Sequence, residues 1–197
     1  MNYPKFFDEV EKIVLKDDLS DFLGAFEDGS IEFGYLDVVK LAGHSCPTVV
    51  GAYLMTQIAL KELYKNEIPK RGEVFVSFKE NENEGVAGVI ANVIAQITGA
   101  TKSSGFKGLN GKFKRYDLVE FNANITSSAK FKRVDTNETV ELIYNPNIVP
   151  MNPKTQELMQ KMMQNIATIQ DKKEFQNLWQ SRVEEILKNP DRVITVL

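Results

Sequence analysis

Two segments without charge constrain this chain more than anything else in it. Pro47 to Leu60 and Gly85 to Thr98 each run for fourteen residues with no Asp, Glu, Lys or Arg. In the first, Val49, Val50, Tyr53, Leu54, Ile58 and Leu60, followed by Leu63, spread around the circumference of a helix predicted from Pro47 to about Lys65. A helix that is apolar on most sides has no face to offer water, so other elements must wrap around it. The second segment, rich in Ala, Val and Ile, is expected to be a helix of the same kind. Each is entered from a strand-like run, Ile31 to Leu41 for the first and Glu73 to Lys79 for the second. The expected fold is α+β, a mixed or antiparallel sheet packed with buried helices.

The rest of the chain is read around that centre. The first thirty residues suggest two short helices, one with Phe6, Phe7, Val10, Ile13 and Val14 on one face and one from near Asp18 to near Gly29. Leu118 to Ile125 alternates as a strand, and Phe131 to Val134 with Val140 to Tyr144 form a hairpin around Asp135-Thr136-Asn137. This gives an antiparallel meander, on which Lys130, Lys132 and Arg133 are expected to form a solvated face. Pro146, Pro150 and Pro153 mark a hinge, after which two amphipathic helices follow. The division is therefore a main unit over 1–149 and a C-terminal helical extension of the same domain over 150–197.

No apolar run occupies the first ten residues and nowhere do eighteen apolar residues occur together, so a cytoplasmic protein with no membrane partner is expected. A net charge of −3 argues against nucleic acid as a partner. The single cysteine excludes an intramolecular disulfide.

That cysteine and the single histidine lie two residues apart, in Gly43-His44-Ser45-Cys46-Pro47. In extended backbone residues i and i+2 project from the same side, so the imidazole and the sulfur can converge. Pro47 suits a first helical position, which puts Cys46 at the N-cap, where free N–H groups and the helix dipole favour a thiolate. The pair is a set of metal ligands, or a nucleophile with its base, or a buried small residue beside a hydrogen-bonded loop histidine.

The motif, with Gly51 and Tyr53 following in an apolar helix, resembles the signature of the FmdE family of formylmethanofuran dehydrogenase proteins, Gly-His-x-Cys-Pro running into a helix. The likeness continues through Glu80-Asn81-Glu82-Asn83-Glu84 and Thr98-Gly99-Ala100-Thr101, and through Glu174-Phe175-Gln176 and Trp179 to Leu187. The resemblance implies an α+β domain, a homodimer, and a metal near the His-x-Cys pair. It also implies possible association with a larger redox enzyme, without conferring that enzyme's reaction. Where family members carry cysteines in the second and third motifs, this chain has Glu84 and Ala100, so a sulfur-rich site is excluded.

A catalytic zinc site uses three protein ligands, so a metal reading needs more than His44 and Cys46. Glu84 or Glu82, and less directly Glu80, are the candidates, at a strand-to-helix corner. Such a mixed set suits zinc, with nickel or iron less favoured. If the protein is an enzyme, the metal would serve a small organic substrate. Its rivals are a non-enzymatic metal carrier and a metal-free thiol enzyme. The loop from Lys102 to Arg115, with Gly105, Gly108 and Gly111, offers backbone amides and lysines, Lys102 and Lys107 among them, to a phosphate or carboxylate. A charged surface loop is the plainer reading of the same residues.

Overall fold

In the computed structural model, which describes residues 2–197, the chain opens with a 3-10 turn at Lys5–Asp8. It continues through β1 (Ile13–Lys16), α1 (Asp18–Leu23), β2 (Ser30–Phe33) and α2 (Tyr35–Ala42). There follow α3 (Pro47–Tyr64), β3 (Val74–Ser77), α4 (Ala87–Thr98), β4 (Val119–Glu120), β5 (Ala129–Arg133) and β6 (Thr139–Tyr144). The chain ends with α5 (Pro153–Met163), α6 (Ile169–Lys188), α7 (Pro190–Val193) and β7 (Ile194–Val196). β1 and β2 form a separate antiparallel ribbon, and the main sheet has the order β4-β3-β5-β6-β7.

The α+β class follows from the two uncharged helices. Thirteen of the eighteen residues of α3 are buried, and it packs against α2, α4, α6 and the β5–β6 face of the sheet. Three of its buried polar side chains find partners, while the Tyr64 hydroxyl has none. Thr56 donates to the Ala52 carbonyl at 2.7 Å, Gln57 to the Glu11 carbonyl at 2.9 Å, and the Tyr53 hydroxyl reaches the carbonyls of Glu11 and Phe33. On the sheet, Val74, Val76, Phe131 and Leu142 are fully buried, each such side chain contributing about 1.5–3 kcal/mol of transfer free energy.

Four segments differ from the expectation. Ile31 to Leu41 is a strand only as far as Phe33, and α2 takes the rest. The Asp37 side chain accepts the Gly34 N–H at 2.9 Å, and Tyr35 and Val38 point into the core at helical spacing, so capping and period outweigh β-branched composition. Near the N-terminus, Ile13 and Leu15 are buried while Val14 and Lys16 are exposed, the alternation of a strand rather than a helix face. Only Val119 and Glu120 of the predicted strand over Leu118 to Ile125 pair, and they run parallel to β3, so the sheet is mixed. The last residues do not simply end a helix: they add β7, which pairs antiparallel with β6 and ties the end of the chain into the sheet.

Arg133 is also not on a solvated face. Register places it opposite Val74, on the buried side from Lys130 and Lys132. Its guanidinium pairs with Glu67 and Asp135, each at 2.8 Å, and lies 4.1 Å from the centroid of the Tyr64 ring. Arg133 holds the Glu67 and Asp135 carboxyls below their ordinary values of 4.5 and 3.8. A depressed folded-state pKa contributes stability above the unfolded-state value that is lost as pH falls through the folded one. Urea midpoints measured between pH 6 and pH 3 are therefore expected to decline below about pH 4.5, and Arg133→Gln is expected to flatten that decline. An acid limb equally steep in the variant would show that other carboxylates carry it.

Candidate functional site

His44, Ser45 and Cys46 link α2 to α3, with a bend at His44 and extended backbone at Cys46. Gly43, at φ 74°, ends α2 in the left-handed region that glycine enters freely. Cys46 is the N-cap of α3, with Pro47 at its first position, and its Sγ accepts the Val49 N–H at 3.5 Å. The sulfur is thus held at the positive end of an eighteen-residue helix. His44 is exposed, and its Nδ1 lies 2.9 Å from the Ala42 carbonyl. A carbonyl can only accept, so this bond assigns the proton to Nδ1 and leaves Nε2 with a free lone pair when the ring is neutral. The imidazole borders a cleft with Leu41, Val89, Asn92, Val93 and Gln96.

Ser45 turns into the protein where His44 faces out. It is buried, its hydroxyl lies 2.9 Å from the Tyr35 hydroxyl, and its carbonyl accepts from Trp179 Nε1 at 2.9 Å and Gln180 Nε2 at 3.4 Å. The Tyr144 hydroxyl donates to the Pro47 carbonyl at 2.6 Å. A Cβ at Gly51 would overlap the Tyr144 ring, so this glycine is what lets the phenol reach the start of α3. Burial pushes the Tyr35 and Tyr144 phenols well above their ordinary range, which keeps both hydroxyls neutral and able to donate. The Arg182 guanidinium, bound to the carbonyls of Val149 and Pro146, opposes the shift at Tyr144. Sequence reasoning does not single out these supports from α6 and β6. Trp179 enters it only as part of a family region, and the one usable signal is Gly51, a small residue in an otherwise bulky helix.

The acidic turn does not join them. Glu82 and Glu84 are exposed: Glu82 pairs with Lys102 at 2.8 Å, and Glu84 accepts the Asn81 N–H at 3.2 Å. Among the described residues no three His, Cys, Asp or Glu side chains come together as a group able to hold a metal ion. Lys102, committed to Glu82, also lies 5.4 Å from the centroid of the Phe121 ring, and Lys107 is exposed on the loop. Two of the loop glycines serve packing, and Gly111 serves a left-handed turn at φ 80°. A Cβ on Gly105 would come within 2.6 Å of the Arg115 carbonyl and one on Gly108 would overlap the Lys112 carbonyl.

Residues 41–196 match the family described as FmdE, molybdenum formylmethanofuran dehydrogenase operon. No curated protein matches the chain. No helix among the described residues is long and apolar enough to cross a membrane. Since the match begins two residues before Gly43 and runs into β7, so that it takes in the His-x-Cys link, both uncharged helices and the whole main sheet, the chain belongs to the FmdE family.

Proposed function

We propose that the chain binds a divalent transition metal through His44 and Cys46, and that it acts as a metal-binding accessory to a larger redox enzyme. An imidazole and a thiolate suit zinc, with nickel or iron as poorer fits. The observation that carries this reading is the bond from His44 Nδ1 to the Ala42 carbonyl, because metal-ligating histidines are oriented in this way and present the other nitrogen. The donors fit in kind but not in number, since one chain brings two where a catalytic zinc uses three. In this reading the missing donors come from outside the single chain. The exposure of Leu41 (61%) and Val89 (39%) beside His44 favours a second copy as their source.

Cobalt titration monitored by absorbance tests the proposal. The parent is expected to develop a thiolate-to-cobalt charge-transfer band, Cys46→Ser to lack it, and His44→Ala to bind at least about a hundredfold more weakly. Elution volume on size exclusion should shift with metal if a second copy completes the site. A parent that takes up neither cobalt nor zinc would sink the metal reading. Rapid alkylation of Cys46 in that metal-free protein would favour a thiol nucleophile, a reading supported by the Val49 N–H directed at the sulfur.

A further inference from the structure

A second cleft, of about 580 Å³, lies between the glycine loop and the face of β3 and β5 that carries Phe75 and Lys132, and shares no residue with the one beside His44. Arg71 and Arg115 line it, and a single carboxylate holds both: Asp17 is 2.6 Å from Arg115 Nη2 and 3.1 Å from Arg71 Nη1. The Asp17 and Arg115 side chains are 6% and 9% exposed and that of Arg71 is 24% exposed, so one buried and one part-buried cation share one anion. Their other N–H groups go to neutral oxygens, Arg71 to the carbonyls of Ile97 and Gln96 and Arg115 to the carbonyl of Arg71. These bonds satisfy hydrogens without cancelling charge. Burial first, and then the neighbouring Arg71, draw the Arg115 pKa down against the pull of Asp17, Asp18 and Glu73.

The carboxylates that face the cleft are already engaged. Asp18 and Glu73 each lie 3.9 Å from Lys70, and Asp117 lies 3.6 Å from Lys114. Lys112 on the loop and Lys132 on β5 have no carboxylate within 4.0 Å among the described residues. The Lys132 ammonium stands 5.2 Å from the centroid of the Phe75 ring, which gives the cleft an apolar face beside its charge.

Arg71, Lys112, Lys114, Arg115 and Lys132 line the cleft against Asp18, Glu73 and Asp117, which leaves the surplus on Lys112 and Lys132. We propose that this cleft binds a small organic phosphate, whose charge answers the free ammonium groups of Lys112 and Lys132, and whose organic part lies against Phe75. The site is independent of any metal at His44 and Cys46. Calorimetric titration of the metal-free protein at low salt with pyrophosphate, inorganic phosphate, AMP, citrate and adenosine tests it. Saturable binding of pyrophosphate and AMP is expected, with AMP tighter than inorganic phosphate, citrate weaker and adenosine silent. Lys112→Glu/Lys132→Glu should weaken AMP at least about tenfold. Lys102→Glu/Lys107→Glu makes the same change in net charge, on the same loop but outside the cleft, and should alter it less than about twofold. Equal losses in the two double variants would reduce the effect to general charge and overturn the site, as would the absence of saturable binding of AMP and pyrophosphate. Tighter binding of citrate than of AMP would overturn the phosphate assignment. Thermal melts of both variants establish that they are folded.

Discussion

Asp17→Asn is expected to destabilise the protein by about 3–5 kcal/mol, because it strips the bonded carboxylate from the buried Arg115 guanidinium and the part-buried one of Arg71. The same side chain caps α1, accepting the N–H groups of Leu19 and Ser20 at 3.0 and 3.1 Å, and the amide that replaces it keeps an oxygen for that purpose. The loss therefore reports mainly on charge. The reverse truncation should behave differently. Arg115→Met removes one cation and leaves Asp17 still paired with Arg71, so a cost nearer about 1–2 kcal/mol is expected, that of hydrogen bonds lost while the buried carboxylate keeps a partner. Chemical denaturation of both variants measures the asymmetry. A cost for Arg115→Met equal to or above that of Asp17→Asn would show that Arg71 alone does not satisfy the buried carboxylate.

Gly51→Ala should cost about 2–3 kcal/mol even though alanine is the better helix former by about 1 kcal/mol. The new methyl group has nowhere to go: it would sit inside the Tyr144 ring, whose hydroxyl is anchored on the Pro47 carbonyl at 2.6 Å. Retreat of that ring would also break the anchor, at about 1 kcal/mol, and loosen the first turn of α3 that presents Cys46. The effect is a property of the pair. In a Tyr144→Leu background the same alanine should be close to neutral, and a double-mutant cycle in urea should return a coupling of about 2 kcal/mol. A neutral Gly51→Ala in the parent would mean that Tyr144 does not pack against α3.

What can be read along the chain depends on whether local signals agree. For α3 they do: an uncharged apolar run, a proline at its first position and a cysteine before it all indicate one buried helix with Cys46 at its cap, and that is what forms. For α2 they conflict, since Ile31, Phe33 and Tyr35 have strand propensity while Gly34 and Asp37 cap a helix, and the hydrogen bond prevails. Arg133 reads as solvated because alternation tells which residues share a face but not which face is buried. A guanidinium can be buried where Glu67 and Asp135 reach it from the segment after α3 and from a turn.

The sequence by itself determined that two helices must lie at the centre of an α+β fold, and that the lone cysteine stands at the start of one of them. Both follow from interactions within a few residues, where period, capping and proline geometry act. The tertiary structure alone decided what stands around that cysteine: Tyr144 and Trp179 converge on the link from β6 and α6, while Glu82 and Glu84 turn away toward Lys102 and their own loop. It also decided that Asp17 would meet Arg71 and Arg115, which are 54 and 98 residues further along. Such meetings are set by how helices and sheet pack, and side-chain spacing along the chain carries no record of them.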